Sequence, residues 1–220
     1  MGTFSIISAT LFAAAALYGA ESGGVSIMGI PGELRWKNNP KSWKSDESGL
    51  KIVAGKSTDW FISPFDGKVS ANAPLLLFKP DSAFVLSAKL TVDFRTQWDA
   101  GFLMVYINDT TWAKFAFERS AYQEPTIVTV VTRGVSDDCN SSVISGNSIY
   151  MRLAKVGPAI VFYTSPDGRA WKMVRSFTLG TDQDLRVGFA AQSPTGEVGT
   201  ALFSEIDYSA RRIRDIFKGE

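Results

Sequence analysis

The chain has 220 residues, with 23 basic against 22 acidic side chains, no histidine and a single cysteine. A net charge of +1 supplies no field to recruit nucleic acid or an anionic membrane. The absence of histidine excludes Ser-His-Asp and Cys-His mechanisms and imidazole-ligated zinc, and Cys139 alone can form no intrachain disulfide.

Residues 6–17 form an apolar stretch ending in alanines, followed by Gly19, Ala20, Glu21, Ser22, Gly23 and Gly24. It is shorter than the roughly 20 residues of a membrane span, so no stable membrane span is expected. Small residues at Ala14, Ala16 and Ala20 suit signal-peptide cleavage, which makes residues 1–24 a candidate export signal. The missing basic start leaves an N-terminal helix, and hence a cytoplasmic chain, as the alternative.

From Val25 onward the texture is short strands cut by turn residues, with strands predicted over 84–94, 101–107, 112–118, 126–132, 149–155, 159–164, 170–179, 185–191 and 200–208. Ser165-Pro166-Asp167-Gly168 is the clearest hairpin signal, and Asn108-Asp109 marks a second tip. Many strands without intervening helices predict an all-β antiparallel sandwich or barrel over 25–209. Residues 133–148 read as a long polar loop. There Asp137, Asp138 and Asn140 offer oxygen to a hard cation, but a solvated loop accounts for them more simply. Ala210, Ile213 and Phe217 fall at helical spacing, so a short C-terminal helix is predicted over 210–220.

Function concentrates in Trp112-Ala113-Lys114-Phe115-Ala116-Phe117-Glu118. Strand alternation sends Phe115 and Phe117 to the core, leaving Trp112, Lys114 and Glu118 in a row on the opposite face. An indole offers a stacking platform for a sugar ring, while amine and carboxylate orient its hydroxyls. An ordinary solvated face with a cross-strand ion pair is the competing account. Trp98 and Asp99 sit just before the strand over 101–107, and Thr129, Arg133, Tyr150 and Arg152 lie on strands expected to flank the row. Paired carboxylates cleave glycosides without histidine, and Asp99 with Glu118 is the best candidate pair for that chemistry.

Several motifs then occur in order: Leu34-Arg35-Trp36-Lys37-Asn38-Asn39-Pro40, Thr58-Asp59-Trp60-Phe61, Asp99-Ala100-Gly101, Trp112-Ala113-Lys114 with Glu118, Val130-Val131-Thr132, and Ser165-Pro166-Asp167-Gly168-Arg169-Ala170-Trp171. This series resembles the regulation-of-enolase family, a domain of largely undefined function. The resemblance implies a concanavalin A-like lectin/glucanase jelly roll, akin to sandwich modules attached to β-xylosidases. It also implies that Trp60, Asp99, Trp112, Lys114 and Glu118 share a polar face. After Ser136-Asp137 the family commonly has an aromatic, where this chain has Asp138.

The expected function is therefore a non-catalytic binding module that takes carbohydrate on a concave sheet face, through Trp60, Trp98, Asp99, Trp112, Lys114, Glu118 and Arg152. No cofactor and no metal are called for. The alternatives are a glycoside-active hydrolase and an intracellular regulator with a protein partner.

Overall fold

The computed structural model describes residues 24–220, so the expectations for residues 1–23 lie outside the described residues. Sixteen strands follow in chain order: β1 (Arg35–Lys37), β2 (Ser42–Asp46), β3 (Gly49–Gly55), β4 (Trp60–Ile62), β5 (Val69–Ala71), β6 (Leu75–Phe78), β7 (Phe84–Asp93), β8 (Ala100–Asn108), β9 (Thr111–Arg119), β10 (Pro125–Arg133), β11 (Val135–Val143), β12 (Ser148–Val156), β13 (Ala159–Ser165), β14 (Lys172–Phe177), β15 (Arg186–Gln192) and β16 (Val198–Ser209). They form two seven-stranded antiparallel sheets, ordered β1-β6-β15-β8-β9-β10-β11 and β14-β13-β12-β7-β16-β3-β2, with β4 and β5 as a separate hairpin. The fold is an all-β two-sheet sandwich, the one of the two architectures left open by the strand pattern that the family resemblance implied. Among the described residues no helix is long and apolar enough to cross a membrane.

The sheets are held together by the side chains that alternation turns inward. Phe115 of the first sheet stacks on Phe162 of the second at 4.5 Å and 5°, and Phe189 meets Phe203 at 5.1 Å. Burying each such ring contributes about 1.5–3 kcal/mol. The predicted turn after β13 forms as its residues dictate: Ser165 Oγ accepts from Gly168 N, Asp167 Oδ1 accepts from Arg169 N and Ala170 N, and Gly168 takes a φ of 74°.

Two expectations are corrected. Most of the supposed loop over 133–148 is strand β11, the edge of the first sheet. Its backbone pairs with β10, while of its side chains only Ser136 is buried; an edge strand that buries so little carries no apolar alternation to read. The C-terminal residues form no helix. Eleven residues are marginal for a helix on their own, and here side chains of the second sheet capture the backbone instead. Arg152 Nη1 donates to Gly219 O at 2.7 Å and Tyr163 Oη to Ile216 O at 2.7 Å. Ile213 is buried against the outer face of that sheet, whereas Phe217 is exposed.

Candidate functional site

Strand β9 alternates as its sequence requires. Ala113, Phe115 and Phe117 join the core between the sheets, while Trp112, Lys114, Ala116 and Glu118 take the outer face of the first sheet. That face is not open along its whole length. The β4–β5 hairpin lies across the Trp112 end and seals a second apolar cluster with Trp60, Ile62, Phe102, Met104 and Val130. Trp60 meets Trp112 edge to face at 5.8 Å and 83°, and its Nε1 donates to Ala73 O at 2.8 Å. Ile62 N donates to Ser136 Oγ at 2.9 Å, tying the hairpin to the edge strand.

Beyond the hairpin the face stays uncovered, and a cavity of about 640 Å³ forms there. Asp59, Phe61, Trp98, Lys114, Glu118, Asp138 and Gln192 are among its lining residues. Gln192, Ala100 and Glu118 stand side by side across β15, β8 and β9, and the small Ala100 lets the two longer side chains converge above it. Lys114 Nζ donates to Gln192 Oε1 at 3.1 Å and pairs with Asp59 Oδ1 at 3.4 Å. Gln192 Nε2 in turn donates to Trp98 O at 3.1 Å and reaches Glu118 Oε2 at 3.4 Å. One amide thus links the buried ammonium, the buried carboxyl and the Trp98 backbone.

The electrostatics follow from burial. Glu118 is 7% exposed, and desolvation pushes its carboxyl up to about 8; the Lys114 charge opposes this, while Asp59 and Asp138 add to it. Asp138 is raised too, first by desolvation. Trp98 is 38% exposed and adopts a φ of 65°. A bulky residue in that left-handed region costs about 1–2 kcal/mol, and such strain clusters at ligand sites.

The structure therefore gathers Trp98, Lys114 and Glu118 from the expected set and separates the others. Trp60, on the hairpin itself, and Trp112 beneath it are fully buried, so neither offers an open stacking surface. Asp99 is also buried, accepting from Arg95 N, Thr96 N, Thr96 Oγ1 and Ser193 Oγ. It organises the loop before β8 and does not line the cavity. Arg152 belongs to the second sheet, on its outer face, with its guanidinium 3.8 Å over the Trp171 ring; Tyr150 shares that sheet and bonds Glu205 at 2.8 Å. Strand β10 does flank β9, but Thr129 accepts from Arg175 at 3.1 Å, and the exposed Arg133 donates to Thr178 O. Sequence reasoning missed Asp59 and Gln192 as members of the site. Asp59 stood in a quoted motif, and Gln192 continues the outward alternation of Gly188 and Ala190 one residue past the predicted strand.

A family model described as a protein of unknown function, DUF1349, matches residues 36–211. The chain belongs to the DUF1349 family. It is similar to "Regulation of enolase protein 1" of Saccharomyces cerevisiae, 25% identical over 177 residues that cover 80% of this chain and 88% of that protein. The crystal structure of a functionally unknown protein from Saccharomyces cerevisiae has the same fold, with a TM-score of 0.74 and 24% identity over 81% of this chain and 96% of that one. A variant of the GH43 protein BlXynB from Bacillus licheniformis gives a TM-score of 0.67 at 15% identity over 88% of this chain, which spans only 39% of that protein. These last two likenesses establish the DUF1349 chain's sandwich fold.

Proposed function

We propose that this DUF1349 protein is a non-catalytic binding module of the regulation-of-enolase type whose outer-face cavity takes a carbohydrate. One observation carries the reading: a partly exposed indole, Trp98, stands beside a buried polar set, Lys114, Gln192 and Glu118, in one cavity of about 640 Å³. An apolar ring face with a few convergent donors and acceptors suits a sugar, which has both an apolar face and hydroxyls. The cavity size falls in the range of small-molecule sites, about 300–1,000 Å³. A glycan array with the wild type, Trp98→Ala and Glu118→Gln tests this. Binding that falls at least tenfold in Trp98→Ala and changes in Glu118→Gln is the expected result. No glycan signal, or a signal unchanged in both variants, overturns the proposal.

A second reading, glycoside cleavage, is favoured by the Glu118 carboxyl, which keeps its proton up to about 8 and so has the form of a general acid. Asp99 is engaged elsewhere, so Asp59 or Asp138 would have to be its partner. Hydrolysis of an aryl glycoside that disappears in Glu118→Gln would establish this reading in place of the first.

A further inference from the structure

The inner part of the cavity sets the Lys114 ammonium against the carboxyl groups of Asp59 and Glu118, with Asp138 exposed at its edge. Lys114 is already engaged by Asp59 and Gln192. Among the described residues Glu118 receives a single long contact on Oε2, from an amide that also serves Trp98 O, and its Oε1 accepts no hydrogen bond. Asp138 stands in one cross-strand row with Lys114, with Val130 between them. The charged groups lining the cavity around Glu118 are Asp59 from the segment before β4, Lys68 from the β4–β5 turn, Lys114 from β9 and Asp138 from β11. Lys68 and Asp138 are both exposed, so both charges are largely screened, and Lys114, Asp59 and Glu118 set the inner field. The Glu118 Oε1 oxygen is not sealed off from the cavity, so it is open to a donor from a ligand. A ligand ammonium would supply both the donors and the missing positive charge.

We propose that the carbohydrate taken by this cavity is an amino sugar, with its protonated amine seated against Glu118 Oε1 in the field of Asp59 and, more weakly, of the exposed Asp138. This rests on the carbohydrate reading above and adds the charge of the ligand. The exchange balances without covalent chemistry: Glu118 goes from carboxylic acid to carboxylate, its proton passes to solvent, and the ammonium keeps all of its own. A neutral sugar leaves that proton in place, and a uronic acid adds a like charge to the acidic wall.

Calorimetric titration at pH 6.5 with the methyl glycosides of the amino, neutral and uronic sugars, in the gluco and galacto series, tests this. In one series the aminoglycoside is expected to bind at least tenfold tighter than the neutral glycoside, with the uronide weakest. Heats measured in two buffers of different ionisation enthalpy should report nearly one proton released. Glu118→Gln, which keeps the shape of the protonated side chain, should bring amino and neutral glycosides within about threefold and abolish the buffer dependence. Neutral glycosides binding as tightly as aminoglycosides, or heats independent of buffer, would overturn the amine assignment while leaving the carbohydrate reading standing. No binding by any of the six would overturn both.

Discussion

Lys114 and Gln192 meet end to end, Nζ to Oε1 at 3.1 Å, although 78 residues separate them in the chain. The same Gln192 side chain holds the Trp98 carbonyl at 3.1 Å, so the polar floor of the cavity and its aromatic rim are set by one residue. Replacing Gln192 with leucine would leave a buried ammonium short of an acceptor and free the Trp98 backbone. A loss of about 1–3 kcal/mol in urea unfolding is expected, together with weaker ligand binding. Gln192→Glu should regain only the acceptor for Lys114, because a carboxylate cannot donate to Trp98 O.

Stability should fall with rising pH on account of Glu118. Its folded value is raised from 4.5 to about 8, so between these values the native state holds a proton that the unfolded chain has released. The unfolded state then binds fewer protons, and unfolding free energy decreases as pH increases. The stabilising contribution is complete below about 4.5 and lost by about 8. Urea midpoints at pH 5, 6.5 and 8 should decline in the wild type and lie flatter in Glu118→Gln.

Trp60 of the hairpin and Trp98 at the cavity should separate stability from binding. Trp60 is fully buried, so Trp60→Ala should cost about 3–5 kcal/mol. Trp98→Gly removes a ring that is 38% exposed and relieves a φ of 65°. Its stability change should stay within about 1 kcal/mol, because lost packing and relieved strain oppose each other. Denaturation curves paired with glycan titration distinguish the two.

Gly199 of β16 packs against β15 so closely that an added Cβ would overlap Gln192 O. Backbone cannot yield as a side chain can, so Gly199→Ala should shift Gln192 and loosen its hold on Lys114 and Trp98. A loss of about 2 kcal/mol or more in stability is expected from such overpacking, with ligand affinity falling as well, by denaturation and calorimetry.

Arg152→Ala should behave in the opposite sense. It removes the stacking on Trp171 and the bond to Gly219 O, at a cost of about 1–3 kcal/mol. Hydrogen exchange over 210–220 should accelerate. Binding at the cavity should not change, since Arg152 lies on the outer face of the other sheet.

An antiparallel all-β fold could be read directly from residues, because period-two alternation in the strands after Phe84 is a local property of the chain. The same alternation correctly sent Phe115 and Phe117 inward and Lys114 and Glu118 outward. Whether an outward side chain meets solvent, however, depends on what crosses above it. Here the β4–β5 hairpin, built from residues far upstream, covers Trp112 and stops short of Glu118. Cross-strand order also placed Gln192 beside Glu118 and moved Arg152 to another sheet. Pairing of distant strands and burial are collective, long-range outcomes, so they alone decided which members of the polar row became a cavity and which became packing.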